Sequence, residues 1–226
     1  MTADATTPAP PQLLVVQPPR VRFACTLAHG AGAGMNHSFM HAVANALASH
    51  GVATLRWEFP YMAAGKARPD RLPVATAAVR AAWHAARAEC GDDVPLFAAG
   101  KSFGGRMTSH AHAEQPLPGL RGIAFLGFPL HPPSKPGDCA RAAHLAQASG
   151  PLLFVQGTRD ALAELSLLRP VVAGLGRRAT LHVVEGADHG FDVLVRSGRK
   201  RDDVLDEIAS TVAAWMDRVT KTRRRR

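Results

Sequence analysis

A serine set between glycines carries the first chemical signal in the sequence. Residues 100–105 read Gly-Lys-Ser-Phe-Gly-Gly, the pattern G-x-S-x-G centred on Ser102. An apolar run precedes it and a stretch of helical period follows, so the serine stands at a strand-to-helix turn. In that context the pattern is a nucleophile elbow, a sharp turn that exposes a hydroxyl. Gly100 and Gly104 suit it, because a Cβ on either side of the serine would press on adjacent backbone. The amide of Phe103, next in the chain and at a helix N-terminus, is placed to meet a developing oxyanion. A glycine-rich turn holding an idle serine would show the same five letters; the strand before and the helix after favour a nucleophile. The chemistry is then acyl transfer, for which a serine hydroxyl needs a base and an orienting acid.

Two later segments offer them. Gln156-Gly157-Thr158-Arg159-Asp160 closes one apolar run, and Glu185-Gly186-Ala187-Asp188-His189-Gly190-Phe191 closes the next. The resulting chain order is Ser102, Asp160, His189, which differs from the two common protease orders. The chain has 11 histidines, so position and not residue type selects His189. Asp188 is the nearest rival acid, but its adjacency to His189 suits it better to tethering the loop. Asp192 and Glu164 are weaker candidates. A small-residue segment, His29-Gly30-Ala31-Gly32-Ala33-Gly34-Met35, follows the first apolar run. It lets backbone approach a substrate and offers a second oxyanion amide, assigned to Ala31 with Gly32 as the competing choice. Its glycine spacing fits neither common phosphate-binding pattern. His29 reads as holding that loop in place. The loops after the second and fourth runs are expected to wall the pocket with Phe59, Tyr61, Met62, Phe128 and His131. Lys101, inside the elbow, either favours an anionic substrate or forms a structural ion pair. This chemistry requires no metal and no organic cofactor.

These side chains must be gathered by a sheet. Short apolar runs at 21–28, 52–57, 95–99, 122–128, 152–155 and 180–184 carry little polar alternation, as strands buried on both faces do. Amphipathic stretches lie between them. Phe39, Val43 and Leu47 mark one helix face, with Gly51 in the place of a C′ glycine. Val79, Trp83, Ala86 and Cys90 mark a second, and a third helix runs from the serine to about Glu114, before Pro116. Leu205, Ile208, Val212, Trp215 and Val219 mark the last, with Asp202 and Asp203 at its start and Arg218 and Lys221 at its end, as the helix dipole favours. Leu162, Leu165, Leu168, Val172 and Leu175 suggest a further helix that Pro170 must interrupt or kink. The alternation predicts an α/β domain with a mostly parallel sheet. In such sheets reactive groups gather at the carboxyl ends of the strands.

Composition fits one globular domain: 226 residues, 46% hydrophobic and 20% charged. That apolar content excludes a mainly disordered chain. No stretch approaches the ~20 apolar residues of a membrane span. Three cysteines, Cys25, Cys90 and Cys139, are too few and too scattered for a disulfide framework, which points to thiols in a reducing compartment. Residues 1–12 read as a mobile Pro/Ala/Thr-rich lead-in without secretory character, 13–219 as the domain and 220–226 as a basic tail; the expected address is the cytoplasm. The formal charge of +9 is concentrated near the C-terminus, where 221–226 read KTRRRR. No aromatic residues interleave with these arginines, so they read as a solvated helix end and not as a nucleic-acid surface. Monomer and homodimer are both compatible with the sequence.

With these elements in register the chain resembles the α/β-hydrolases, most closely a small lidless branch near the dienelactone-hydrolase-like proteins. Bacterial members pair an HGAGAGM loop with a GKSxGGR elbow and a G(Y/F)PLHPP segment; here these are residues 29–35, 100–106 and 127–133. Residues 56–62 and 156–160 share the likeness, which extends over about 22–215. The resemblance implies an α/β-hydrolase fold of about six or seven mostly parallel strands, helices on both faces and no cap domain. It also implies the triad Ser102, Asp160 and His189 with an oxyanion hole, but no substrate; the reaction expected from this chemistry is hydrolysis of an ester-type bond of a small acyl substrate. Dienelactone hydrolase itself uses cysteine where this chain has Ser102. The alternatives are a non-catalytic interaction domain on the same fold, or a thioesterase or peptidase using the same three side chains.

Overall fold

A computed structural model describes residues 11–224. Most of the lead-in expected at 1–12, and the last two residues of the basic tail, lie outside the described residues. Seven strands form one sheet: β1 (Leu14–Val16), β2 (Phe23–Ala28), β3 (Val52–Trp57), β4 (Leu96–Lys101), β5 (Ile123–Leu126), β6 (Leu152–Gly157) and β7 (Ala179–Val184). Their spatial order is β1-β3-β2-β4-β5-β6-β7. β1 runs antiparallel to β3, and every other pair is parallel. The helices are α1 (Ser38–Ser49), α2 (Pro60–Ala63), α3 (Leu72–Cys90), α4 (Phe103–Glu114), α5 (Leu165–Gly174) and α6 (Arg201–Arg224).

The unbroken apolar runs have their cause in this arrangement. Every residue of β2, β3, β5 and β6 is buried, because helices cover the sheet on both sides. Alternate strand residues serve alternate faces. Cys25, Leu27, Phe97, Ala99, Leu153 and Val155 pack with α1 and α6. Ala24, Ala28, Leu55, Ala98, Phe125 and Phe154 pack with α3, α4 and α5. α6 presents Leu205, Ile208, Val212, Trp215 and Val219 to its face of the core, and it continues as helix to Arg224, beyond the expected domain end at 219.

Two short elements were not expected, β1 and α2. The leucine-rich helix begins later than its pattern suggests. Leu162 stays in the preceding loop, where its N–H donates to Asp160 Oδ1 (2.8 Å) and the Ala163 N–H to the Asp160 carbonyl (3.2 Å). Asp160 thus holds residues 160–163 in a turn of their own before the helix. Pro170 sits within α5 and does not end it. Among the described residues no domain is inserted between strands, and no helix is long and apolar enough to cross a membrane.

The chain moves from β2 outward to β3, then returns across β2 to β4. This reversal opens a crevice beyond the carboxyl ends of β2 and β4, the place where open α/β sheets hold ligands. Residues 29–34 leave β2 there, and Ser102 leaves β4.

Ile208 has no exposed surface and faces the α1/α6 side of the core. Ile208→Ala is expected to cost about 2–5 kcal/mol in urea unfolding, the range for a buried aliphatic truncation. A loss below ~1 kcal/mol would place α6 outside the cooperative core.

Candidate active site

The site begins with a strained backbone. Ser102 has φ 49° and ψ −112°, a conformation that a residue with a side chain adopts only when its surroundings hold it there. Its N–H donates to the Leu126 carbonyl of β5 (3.1 Å), and its carbonyl accepts the Arg106 N–H of α4 (3.1 Å). Close backbone approach makes the flanking glycines obligatory. A Cβ on Gly100 would stand 2.2 Å from the Gly105 nitrogen, and one on Gly104 would stand 2.5 Å from the His29 carbonyl oxygen.

The turn aims Ser102 at the loop after β7. Ser102 Oγ lies 2.9 Å from His189 Nε2, and His189 Nδ1 lies 2.7 Å from Asp160 Oδ2. A carboxylate only accepts, so Nδ1–H donates to Asp160 and Nε2 is left to accept the serine proton. The Asp160 side chain is fully buried. Its charge is met by Gln156 Nε2 on Oδ2, by the Leu162 N–H on Oδ1 (2.8 Å) and by His189 itself, as a buried carboxylate demands. Gln156 is oriented in turn by the Phe128 N–H, which donates to its Oε1 (3.0 Å). Sequence reasoning missed Gln156, although it lies four residues before the acid on a strand otherwise apolar at that end. Asp188, the rival acid, accepts the Gly190 and Asp192 N–H groups (2.8 and 3.0 Å) and so tethers the histidine loop.

His29 and Tyr61 brace the glycine loop. His29 Nδ1–H donates to the Gly30 carbonyl (2.7 Å), and its Nε2 accepts the Phe59 N–H (3.1 Å). Burial pushes the His29 pKa below the ordinary imidazole value, which agrees with a ring that must keep one nitrogen as acceptor. The Tyr61 hydroxyl donates to the Ala31 carbonyl (2.8 Å). With these carbonyls held from behind, the amides of Ala31, Gly32 and Phe103 have no acceptor among the described residues.

A cleft of about 550 Å³ opens beside Ser102. Gly32 and Lys101 line it. Its apolar wall, however, comes from Phe39 and Met40 at the start of α1 and from Leu162, while Asp192 and Arg201 form its rim (3.5 Å apart). The expected wall residues lie elsewhere. Phe59, Tyr61, Phe128 and His131 are all buried to 2% exposure or less, and Met62 packs against the same core. The physical reason is the side of the sheet: these residues pack on the α3/α4 face, and the cleft opens towards α1 and α6. His131 Nε2 bonds Glu164 Oε2 (2.8 Å), and the Leu130 and His131 amides donate to the Leu162 carbonyl (2.9 and 3.2 Å). They fasten the acid loop and do not touch the cleft. The start of α1 was missed because its residues carry an ordinary amphipathic helix signal.

Lys101 turns its ammonium towards the protein. Nζ donates to the His189 carbonyl, and it lies 5.4 Å from the Phe191 ring centre and 5.9 Å from that of Phe39. Burial lowers its pKa to about 8, against the opposing pull of the Asp160 and Asp188 charges.

The sheet order, the helices on both faces and a serine at the strand-to-helix turn define an α/β-hydrolase fold without a lid. Residues 21–217 match the family described as "Alpha/beta hydrolase domain", and the chain belongs to that family. Solved structures share the fold at low identity. An α/β serine hydrolase homologue from Coxiella burnetii is 20% identical, with a TM-score of 0.69 over 87% of this chain and 88% of its own. A dienelactone hydrolase from Anabaena variabilis is 19% identical, with a TM-score of 0.68 over 92% of this chain and 98% of its own. A lidless α/β serine hydrolase from Xanthomonas campestris is also 19% identical, with a TM-score of 0.68 over 92% and 96%.

Two outcomes follow from this geometry. Gly104→Ala puts a methyl group against the carbonyls of Ala28 and His29 and is expected to cost about 3 kcal/mol or more in chemical denaturation, the upper range for overpacking; a neutral result would mean that the elbow can relax. The Lys101 pKa of about 8 lies below its ordinary 10.5, so between these values the unfolded chain binds more protons than the folded one. Lys101 therefore contributes a rise in stability with pH across about 8 to 10.5, against which the buried Cys25 thiol, pushed above its ordinary 9.0, acts in the upper part of that window. In Lys101→Met that rise should flatten in melting curves, and an unchanged slope would assign it to other groups.

Proposed function

We propose that this protein is a serine hydrolase that cleaves an ester-type bond of a small acyl substrate. The observation that carries the proposal is the unbroken hydrogen-bonded line from Ser102 Oγ through His189 to the buried Asp160. Ser102 attacks the substrate carbonyl carbon as its proton passes to His189 Nε2. Asp160 holds the tautomer and favours the imidazolium. The amides of Phe103 and Ala31 receive the oxyanion, with Gly32 as the neighbouring donor. His189 then protonates the leaving group. Water repeats the cycle on the acyl-enzyme, restoring Ser102 and releasing the acid.

The cleft supports a small substrate. Its floor is apolar at Phe39, Met40 and Leu162, and no inserted domain roofs it among the described residues. The inward turn of the Lys101 ammonium favours a structural role over direct contact with a substrate anion. The same three side chains would serve a thioester or an amide, and the leaving group is decided by assay. A cytoplasmic location and a monomer or homodimer remain the expectation.

A fluorophosphonate probe should label Ser102 in the folded protein and fail on Ser102→Ala. In a screen of p-nitrophenyl esters, thioesters and peptides, Asp160→Asn should lower kcat by about 10⁴-fold, the loss typical of a misheld histidine tautomer. A folded protein that leaves Ser102 unlabelled and turns over none of these substrates would favour the interaction-domain reading.

A further inference from the structure

α4 carries a charged feature that the serine chemistry leaves unused. Arg106, the last residue of the elbow motif, lines a separate hollow of about 330 Å³ with Asp70, Leu72, His110 and Arg141. The hollow lies between α4, the start of α3 and the 3-10 turn Ala140–Ala146. No residue lines both it and the cleft over Ser102.

The two guanidiniums of this hollow have no carboxylate bonded to them among the described residues. Arg106 Nε is buried and has no hydrogen-bond partner. Burial, and then the charge of Arg141, bring the Arg106 guanidinium down to about 10. The carboxylates around them bond elsewhere, although Asp70 lines the hollow and the Asp138 charge reaches Arg141. Asp70 Oδ2 accepts the Tyr61 N–H (3.0 Å), Asp138 Oδ1 accepts the Ala140 N–H (2.8 Å), and Glu114 Oε2 pairs with Arg80 (3.1 Å). His110 stacks on His144 with ring centres 3.4 Å apart. Burial and the Arg106 charge push its pKa down to about 4, so it is neutral near pH 7.

Asp138 offsets the charge of Arg141, but Arg106 feels the Arg141 charge with no carboxylate opposing it; that repulsion is costly, and an anion between the two guanidiniums lowers the cost. The planar fork of arginine matches phosphate oxygens in pairs. A hollow near 330 Å³ also stands at the small end of ligand pockets, which begin at about 300 Å³. We propose that this hollow is a second ligand site, which binds a phosphate group between Arg106 and Arg141 with His110 at its edge. The phosphate is either inorganic or the monoester of a small molecule.

The test is isothermal titration of the full chain with sodium phosphate, against sodium chloride at equal ionic strength. Wild type should bind phosphate saturably. Arg141→Gln, on the turn outside α4, should melt as wild type does in chloride and bind about tenfold or more weakly, the worth of one charge-assisted hydrogen bond. Arg106→Lys keeps the charge but loses the fork, and should weaken binding similarly. Phenyl phosphate separates the two sources: tighter binding than phosphate indicates a monoester, and equal binding indicates the inorganic ion. The proposal falls if phosphate and chloride give the same heats in wild type, or if both variants bind phosphate as wild type does.

Discussion

The backbone of Ser102 is the constraint on which the site depends. At φ 49° the residue stores strain of about 1–3 kcal/mol, and three pieces of structure hold it there. β5 takes its N–H, α4 returns an N–H to its carbonyl, and the glycines on either side allow α4 to meet β4 at Gly100 and the end of β2 at Gly104 at distances no Cβ would tolerate. Phe103 then packs its ring against Phe59 and Tyr61 (centres 5.0 and 6.2 Å apart). The first residue of α4 is thereby anchored in the core, and the hydroxyl before it points into the crevice. Strain in the turn is offset by burial beyond it.

A fixed hydroxyl is useful only if its partners are fixed as well, and here orientation comes from buried polar groups. Asp160 is aimed by Gln156, which is itself held by the Phe128 amide. The loop that follows is tied to the segment after β5 through the Leu162 carbonyl and through His131 and Glu164. His189 is held by Lys101 at its carbonyl and by the loop that Asp188 closes. Phe191, at φ 64°, is the second non-glycine residue with positive φ among the described residues; its N–H donates to the Asp188 carbonyl (3.0 Å) and its ring stacks on Phe39 (ring centres 5.9 Å apart). Each buried donor or acceptor in this network has a partner, the condition under which such networks rigidify a site and do not destabilise it.

The elements that bear the site were legible in the sequence for a specific reason. Strands covered on both faces leave unbroken apolar runs, and the topology sends every parallel strand's carboxyl end to the same rim, so the residues after each run could be read as neighbours. Ser102, Asp160 and His189 do meet there, at 2.9 and 2.7 Å. The wall of the cleft was not legible. Aromatic residues after a strand have the same composition whether they line a pocket or fill a core, and the deciding fact is which face of the sheet the loop crosses. Phe59 and Phe128 went to the core, while Phe39 and Met40, typical of an amphipathic helix, reached the cleft. β1 was missed because three residues at a sheet edge carry too short a pattern to register.

Three basic side chains near the carboxyl ends of the strands show how one charge type can serve different ends. Arg56 of β3 is buried to 2% exposure and spends Nη1 on the Met35 carbonyl (2.8 Å), while Glu58 Oε1 accepts the Met35 N–H (3.3 Å). Its charge is used to close the glycine loop. Lys101 of β4 also meets a carbonyl, that of His189, with ring faces on two sides. Arg106 shares with Arg56 a buried Nε that has no acceptor, but unlike Arg56 it directs no other guanidinium nitrogen to a carbonyl among the described residues. Where the first two cations are consumed in positioning backbone, the third retains its capacity to bind, and that difference separates the scaffold of the serine site from the hollow behind it.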